Sequence, residues 1–299
     1  MNDASQYLQT LARRNAQPYI AFPNLKAIIL TGSSAEGVSD YYSDIDMILY
    51  YDELPPEETL LAAYQQNHGE DRKLLGERSE GAIIEVYQVQ GVECQFEHTT
   101  IAAWERDMAT VLEQLDVTSP IQKALSGMLE VIPLYGEPLI QEWQARIANY
   151  PEPLAEAMVK HYLNIFPIWG IQERMESRDA TLWLNQLLVE GSYNILGILS
   201  ALNHLYFSTF QFKRMHRFIA QMHIAPTNLA DRIEALFSTH PSSSATQLEE
   251  LVRETIELVE QYMPQIDTTT VKKRVGWRQD AWQNRRAAPR GRPQYPPPD

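Results

Sequence analysis

The chain has 299 residues, of which 44% are hydrophobic, and its formal net charge is −14. This supply of apolar side chains excludes an intrinsically disordered protein, and the acidity argues against general binding to DNA or RNA, because like charges repel. A single cysteine, Cys94, excludes an intramolecular disulfide and a cysteine-based zinc cluster.

Membrane and secretory classes are disfavoured by the hydropathy pattern. No run of about 18 residues is free of charge or strong polarity, so we expect no membrane span. Residues 1–22 mix acidic and basic side chains and lack the apolar centre of a secretory signal. We therefore expect a soluble cytoplasmic protein.

Charge is distributed unevenly along the chain. In the last 29 residues, eight Lys and Arg stand against Asp280 and Asp299, a local net charge of +6, which leaves about −20 for the preceding residues. The end is also rich in proline and poor in apolar side chains, so we predict that 271–299 is a disordered basic tail. Contact of this tail with nucleic acid or an acidic partner is the alternative.

The first hundred residues alternate between strand-like and helix-like patterns. Buried strands are predicted at 25–30 and 44–51, and two more strands fall within 81–98. The polar stretch 3–15 and the proline-led stretch 53–68 are predicted helices. This order of elements indicates an α+β domain.

Helical patterns dominate the second half of the chain. The segment 181–207 is apolar almost all round, which predicts the buried central helix of a bundle. The fold class is therefore α+β, with an N-terminal domain at 1–135 and a C-terminal helical bundle domain at 150–265. The other predicted helical segments of the bundle are 153–177, 210–223, 226–237 and 245–262.

A Gly-Ser pair and an Asp-x-Asp pair lie on the two sides of a polar turn. Asp44 and Asp46 alternate, so both carboxylates leave the same face of an extended segment. A cation between them relieves their repulsion, and such an oxygen-only pair suits Mg²⁺, which completes its shell with water and phosphates. Gly32 allows close approach of the backbone to a phosphate, and Ser33 offers a hydroxyl and an N–H. The pattern predicts a site for a nucleoside triphosphate with Mg²⁺.

A plainer interpretation stays open, in which a Gly-Ser turn precedes two solvent-facing aspartates. A third acidic position favours the metal site. Glu93, Gln95 and Glu97 alternate with apolar residues and share one strand face, so Glu93 and Glu97 are the acidic candidates. Either of them completes a two-metal set of carboxylates if their strand lies beside that of Asp46. Lys213 is a candidate for contact with the triphosphate, with a solvated basic turn as the alternative.

These residues resemble a known signature. Gly32-Ser33, a ten-residue gap and Asp44-Ile45-Asp46 look like the motif of the DNA polymerase beta-like nucleotidyltransferase superfamily. The runs "YYSDIDMILYY" and "GVECQFEH" are most similar to the kanamycin (aminoglycoside) nucleotidyltransferase branch. The resemblance implies a small mixed β-sheet in a nucleotidyltransferase domain, followed by a helical domain that closes over an acceptor.

The resemblance also implies roles for individual residues. Ser33 would contact the triphosphate, and Asp44 and Asp46 would bind Mg²⁺, with Glu93 as the third acidic group. A hydroxyl of the acceptor would attack the α-phosphorus of a nucleoside triphosphate, and pyrophosphate would leave. Members of this branch can be dimers, so the resemblance admits a homodimer.

The acceptor half departs from the family pattern. The best match to the family's catalytic glutamate and lysine places Asn164 and Ile168 there, and Pro167 should bend or end that helix. The leading hypothesis is Mg²⁺-dependent nucleotidyl transfer to a hydroxyl of a small molecule, with an aminoglycoside-like molecule as one candidate acceptor. The alternatives are nucleotidylation of a protein and a non-catalytic nucleotide- or partner-binding protein on the same fold.

Overall fold

The fold is built on one mixed β-sheet covered by helices on both faces. The computed structural model describes residues 2–76, 78, 81–238 and 241–280. The strand order is β3-β4-β5-β2-β1-β6, and within it β2 and β5 are parallel while the other neighbours are antiparallel. The strands are β1 (Leu25–Thr31), β2 (Ile45–Tyr51), β3 (Glu70–Leu75), β4 (Ala82–Val89), β5 (Val92–Thr100) and β6 (Ile132–Tyr135).

The helices are interspersed with the strands in the first part of the chain and follow one another without strands after residue 135, among the described residues. Short 3₁₀ helices span Ile168–Ile171 and Thr209–Arg214. The α-helices are α1 (Asp3–Ile20), α2 (Gly32–Ala35), α3 (Glu57–Gln66), α4 (Ile101–Leu112), α5 (Ile121–Met128), α6 (Glu137–Ala148), α7 (Glu152–Tyr162), α8 (Gln172–Glu176), α9 (Thr181–Leu202), α10 (Met215–Ile219), α11 (Leu229–Ala235), α12 (Pro241–Tyr262) and α13 (Thr269–Arg274).

Strand β2 has two chemically different faces because its side chains alternate. Ile45, Met47 and Leu49 are buried on the face that packs with α1 and α3, which we call the back face. The opposite, front face carries Asp46 near the beginning of the strand and Tyr50 at its far end. Tyr50 packs against Trp143, with ring centroids 4.7 Å apart. The front face is thus polar at one end and apolar at the other.

The apolar end of the front face continues into the helical region. Ala27, Ile29 and Tyr50 belong to the same buried cluster as the residues of α7, α9 and α12. Helix α9 is buried along most of its length and packs against α7 and α12, so the prediction of a central helix is confirmed. One core therefore fixes the helical region against the sheet, beside the polar end of β2.

The predicted α+β class with a mixed sheet and a C-terminal helical region is confirmed. The structure adds β3 and β6, which the sequence pattern did not predict, because edge strands carry little apolar alternation. The predicted helix 153–177 ends at Tyr162, because Pro167 interrupts it. The rest of the predicted range forms the 3₁₀ helix Ile168–Ile171 and the short helix α8. In the described ranges, no helix is both long and apolar enough to cross a membrane.

The prediction of a disordered tail is wrong for residues 271–280. Trp169 donates its indole N–H to the Arg274 carbonyl at 2.9 Å, and the Gln279 N–H donates to the Gly170 carbonyl at 2.7 Å. Arg278 pairs with the buried Glu249 at 2.7 Å. Composition missed these contacts because they are specific pairings, among them the ion pairs of Lys272 with Glu260 and of Arg278 with Glu249, made to parts of the chain outside this segment. The remainder of the predicted tail, 281–299, lies outside the described residues.

Two adjacent buried tyrosines offer a test of this packing. The Tyr50 hydroxyl is buried without a hydrogen-bond partner among the described residues, whereas the Tyr51 hydroxyl bonds to His98 Nδ1 at 3.0 Å. Because an unpaired buried hydroxyl is costly, we expect Tyr50→Phe to raise the free energy of unfolding by about 1 kcal/mol and Tyr51→Phe to lower it by a similar amount. Urea denaturation measures both, and equal destabilisation by the two variants would contradict the assignment.

Candidate metal and nucleotide site

The turn after β1 supports one of the two aspartates. Thr31 at the end of β1 pairs with Asp46 across the sheet, and Gly32 follows with a φ of +68°. A Cβ at Gly32 would lie 2.5 Å from Asp46 Oδ2, closer than atoms can approach. A glycine is therefore required here, both for the left-handed backbone and for the carboxylate that lies against it.

Helix α1 fixes the serines that follow. The Gln9 amide donates to the Ser34 carbonyl at 2.8 Å, and the Ser39 N–H donates to the Ser5 hydroxyl at 3.0 Å. Ser33 is half-buried, with its Oγ 3.4 Å from Ser39 Oγ. It lies in the first turn of α2, where backbone N–H groups have no partner within the helix. The predicted phosphate contact at Gly32 and Ser33 thus has suitable donors in a fixed turn.

A short turn precedes Asp44 and places it immediately before β2. The Asp40 carboxylate accepts hydrogen bonds from the Tyr42 N–H at 2.9 Å and the Ser43 hydroxyl at 3.2 Å. These local bonds define the loop geometry without any contact to the core. Asp44 precedes the strand by one residue, and Asp46 is the second residue within it.

Parallel pairing of β2 with β5 places the third acidic position. Asp46 is in register with Gln95, whose amide N–H donates to Asp44 Oδ2 and to Glu93 Oε1, both at 3.3 Å. The structure therefore brings together Asp44, Glu93 and the amide of Gln95. The role of Gln95 as a link between the two carboxylates was not predicted, although its strand face was.

Glu97 lies two residues further along the same face, in register with Ile48. Burial, and secondarily the charge of Asp107, raises the pKa of Glu97, while Lys123 opposes the shift. Register therefore places Glu93, and not Glu97, beside the aspartate pair. His98 belongs to the back face, where it is fully buried and bonds to Tyr51, so it does not face the site.

Asp46 carries an unfavourable charge. Burial, followed by repulsion from Asp44 and Glu93, raises its pKa from 3.8 to about 6, although Lys123 and Lys213 act in the opposite direction. A divalent cation would remove this cost, and carboxylate oxygens are the donors that Mg²⁺ prefers. The residues thus fit Mg²⁺ held by two carboxylates, with its other positions left to water and phosphates. Within the described ranges, no three His, Cys, Asp or Glu side chains are drawn together into a metal-binding group.

Two lysines from the helical side face these carboxylates. Lys123 lies in the first turn of α5, and Lys213 lies in the 3₁₀ helix Thr209–Arg214. Lys213 was predicted, whereas Lys123 was not. A lysine in the first turn of a helix opposes the helix dipole, and this was the signal that could have identified it.

Arginines tie the segment that carries Lys213 to the loop that follows the turn. Arg214 donates to the Val38 carbonyl at 3.0 Å, and Arg217 lies 3.5 Å from Glu36 and 3.4 Å from Glu130. These contacts therefore join the helical segment 214–217 to the loop after β1 on one side of the site.

The residues that depart from the family pattern have other partners. Asn164 is exposed and accepts a hydrogen bond from Arg274 at 3.3 Å, and Ile168 is fully buried in the helical core. Asn164 thus serves the docking of the C-terminal segment, and Ile168 serves the packing of the helical core. Their structural roles explain why neither has the chemistry of a base or a phosphate ligand.

Exchange of Gly32 tests the support of Asp46. We expect Gly32→Ala to lower the free energy of unfolding by about 1–3 kcal/mol and to abolish Mg²⁺ binding, because the new Cβ displaces the carboxylate. Gly91→Ala is the matched control, since Gly91 also has a positive φ of +76° but has no atom within 4 Å of a Cβ. Calorimetric titration with Mg²⁺ measures the effect, and equal loss of binding in both variants would contradict the account.

The raised pKa of Asp46 predicts a pH dependence of stability. The folded chain holds this proton up to about pH 6 and the unfolded chain only to 3.8, so stability falls as the pH rises between these values. At pH 7.5 without divalent cations, we expect Asp46→Asn to raise the free energy of unfolding by about 1–3 kcal/mol. The gain should shrink toward zero near pH 4, as measured by urea denaturation.

Asp52→Asn is the control for this measurement, because Asp52 is exposed and forms only a surface ion pair with Lys26 at 2.8 Å. That pair stabilises by at most about 1 kcal/mol, so the control should leave stability unchanged or slightly lower. A loss of stability in Asp46→Asn at pH 7.5 would contradict the assignment.

Comparison with known proteins identifies no family by sequence: no family model matches the chain, and no curated protein matches it. Among solved structures, a nucleotidyltransferase-like protein from Exiguobacterium sibiricum 255-15 covers 87% of this chain and 80% of its own, at 10% identity and a TM-score of 0.40. A CCA-adding enzyme in complex with CTP covers 93% of this chain and 71% of its own, at 15% identity and a TM-score of 0.29. Similarities this low carry no argument, so the function is argued from the site alone.

Proposed function

We propose that the chain transfers a nucleoside monophosphate from a nucleoside triphosphate to a hydroxyl group of a small molecule, with release of pyrophosphate. One observation carries the proposal. A half-buried pair of like-charged carboxylates, Asp44 and Asp46, lies between a Gly-Ser turn and two lysines. Acidic ligands for a divalent cation and cationic ligands for phosphates are thus adjacent, which is the requirement for phosphoryl chemistry.

Each group has a role in binding the donor. Asp44 and Asp46 hold Mg²⁺, and Glu93 is the third acidic group, because the Gln95 amide connects it to Asp44. When bound, Mg²⁺ supplies charge neutralisation at the phosphate oxygens. The backbone around Gly32 and Ser33 receives the phosphates, and the two lysines complement charge on the leaving pyrophosphate.

The nature of the acceptor follows from charge and from the resemblance. Glu93 adds its negative charge to that of the carboxylate pair, in a chain of net charge −14, which favours a cationic acceptor. An aminoglycoside-like molecule satisfies this requirement and agrees with the similarity to the kanamycin nucleotidyltransferase branch. The acceptor is activated without Asn164 or Ile168, since both are committed to other contacts.

A second candidate is a protein that binds a nucleotide without turnover. The observation that favours it is Gln95, a neutral side chain in register with Asp46. A neutral amide cannot bridge two metal ions as a carboxylate does, so a site that depends on this position would hold one ion only. Transfer and mere binding are separated by the release of pyrophosphate.

Nucleotide binding is tested by thermal unfolding with ATP, GTP, CTP or UTP, each with and without Mg²⁺. A nucleotide at a hundred times its dissociation constant should add about 2.7 kcal/mol, which raises the melting temperature by a few degrees. We expect this shift to require Mg²⁺ and to be lost in Asp46→Asn. Asp52→Asn is the control that should keep it.

Three outcomes would decide against the proposal. A nucleotide-induced shift that survives in Asp46→Asn would place the nucleotide elsewhere on the chain. The absence of any shift with all four nucleotides would remove the donor site. A shift without pyrophosphate release from any nucleotide and acceptor would favour the second candidate.

A further inference from the structure

Phe210 lies between the two lysines of the site. Its ring is 47% exposed at the start of the 3₁₀ helix Thr209–Arg214. Lys123 Nζ lies 3.7 Å from the ring centroid, and Lys213 Nζ lies 5.1 Å from it. Two ammonium groups from different parts of the chain therefore share one aromatic ring.

The elements that bring them together are fixed independently of the lysines. The Phe207 N–H donates to the buried Gln122 side chain at 3.0 Å, which joins the approach to the 3₁₀ helix to α5. Ser208 and Gln211 cap the 3₁₀ helix reciprocally. The ring of Phe210 is thereby held beside the first turn of α5, where Lys123 lies.

An aromatic face attracts cations through its negative π density. Two neighbouring ammonium groups repel each other, and the shared ring offsets part of that repulsion. It also competes with the carboxylates for the lysines, because Lys123 is within electrostatic reach of Asp46 and Glu97. Neither lysine forms an ion pair of 4.0 Å or less with a carboxylate among the described residues.

We propose that Phe210 is a positioning residue that holds Lys123 and Lys213 apart from the carboxylates, so that both remain available to a polyphosphate group. The proposal rests on the proposed function and extends it to the part of the donor that leaves. A preorganised pair of cations binds a polyanion at a lower cost in side-chain entropy. Without the ring, the lysines pair with Asp46 and Glu97, and this pairing weakens both cation and phosphate binding.

The test uses inorganic tripolyphosphate with Mg²⁺ as the probe, titrated calorimetrically against the full chain at physiological ionic strength. We expect Phe210→Leu to weaken binding about three- to tenfold, since it keeps the apolar bulk and removes the π face. Phe210→Tyr keeps the ring and should bind within about twofold of wild type. Phe237→Leu is the matched control, because Phe237 is 46% exposed in the helical region and should not affect binding.

A double-mutant cycle makes the test specific to the lysine. If Phe210 acts through Lys123, then Phe210→Leu should have less effect in a Lys123→Met background than in the wild type. Thermal unfolding of each variant confirms that it is folded. Additive effects in the cycle, unchanged or tighter binding in Phe210→Leu, or no rescue by Phe210→Tyr would each overturn the proposal, as would a wild type that binds no tripolyphosphate.

The outcome is independent of turnover. Phe210-dependent binding of tripolyphosphate, without pyrophosphate release from any nucleoside triphosphate, would remove the proposed transfer and leave the positioning role intact. If pyrophosphate is released and Phe210→Leu leaves the KM for the nucleotide unchanged, the transfer stands and the positioning role is overturned.

Discussion

The repulsion between Asp44 and Asp46, with the half-buried Asp46 packed against Gly32, is the constraint on which the rest of the site depends. The turn is held from behind by α1 through Gln9 and Ser5, and the absence of a side chain at Gly32 leaves room for the carboxylate. A fold gains no stability from such a pair in the absence of a cation. A cation supplied from solution would remove this cost.

The two faces of the sheet have different roles: the back face packs a core, and the front face carries the candidate site. The back face of β2 is apolar and is covered by α1 and α3, whereas the front face passes from a packed tyrosine to the half-buried carboxylate of Asp46 within one strand. The helical region covers the apolar end and contributes Lys213 to the polar end, whereas Lys123 comes from α5, which precedes β6. Among the described residues, these cations reach the carboxylates from two separate elements without forming an ion pair with them.

Much of this arrangement could be predicted from the sequence, because strand alternation is a local property. The alternation at 44–51 and 81–98 located the strands, and it placed Glu93, Gln95 and Glu97 on one face. Lys123 and Phe210 could not be located in this way, because tertiary packing of α5 and the 3₁₀ helix brings them to the site. The C-terminal residues 271–280 were mispredicted since their contacts are not expressed in composition.

The central claim is that the Asp44–Asp46 pair binds a divalent cation together with a nucleoside triphosphate. Titration with Mn²⁺, followed by electron paramagnetic resonance of the free ion, tests it most directly on the wild type and on the Asp44→Asn, Asp46→Asn double variant. The account predicts at least one bound ion in the wild type, tighter binding when a nucleoside triphosphate is present, and loss of that ion in the double variant. Equal Mn²⁺ binding by the two proteins, with or without nucleotide, would contradict it.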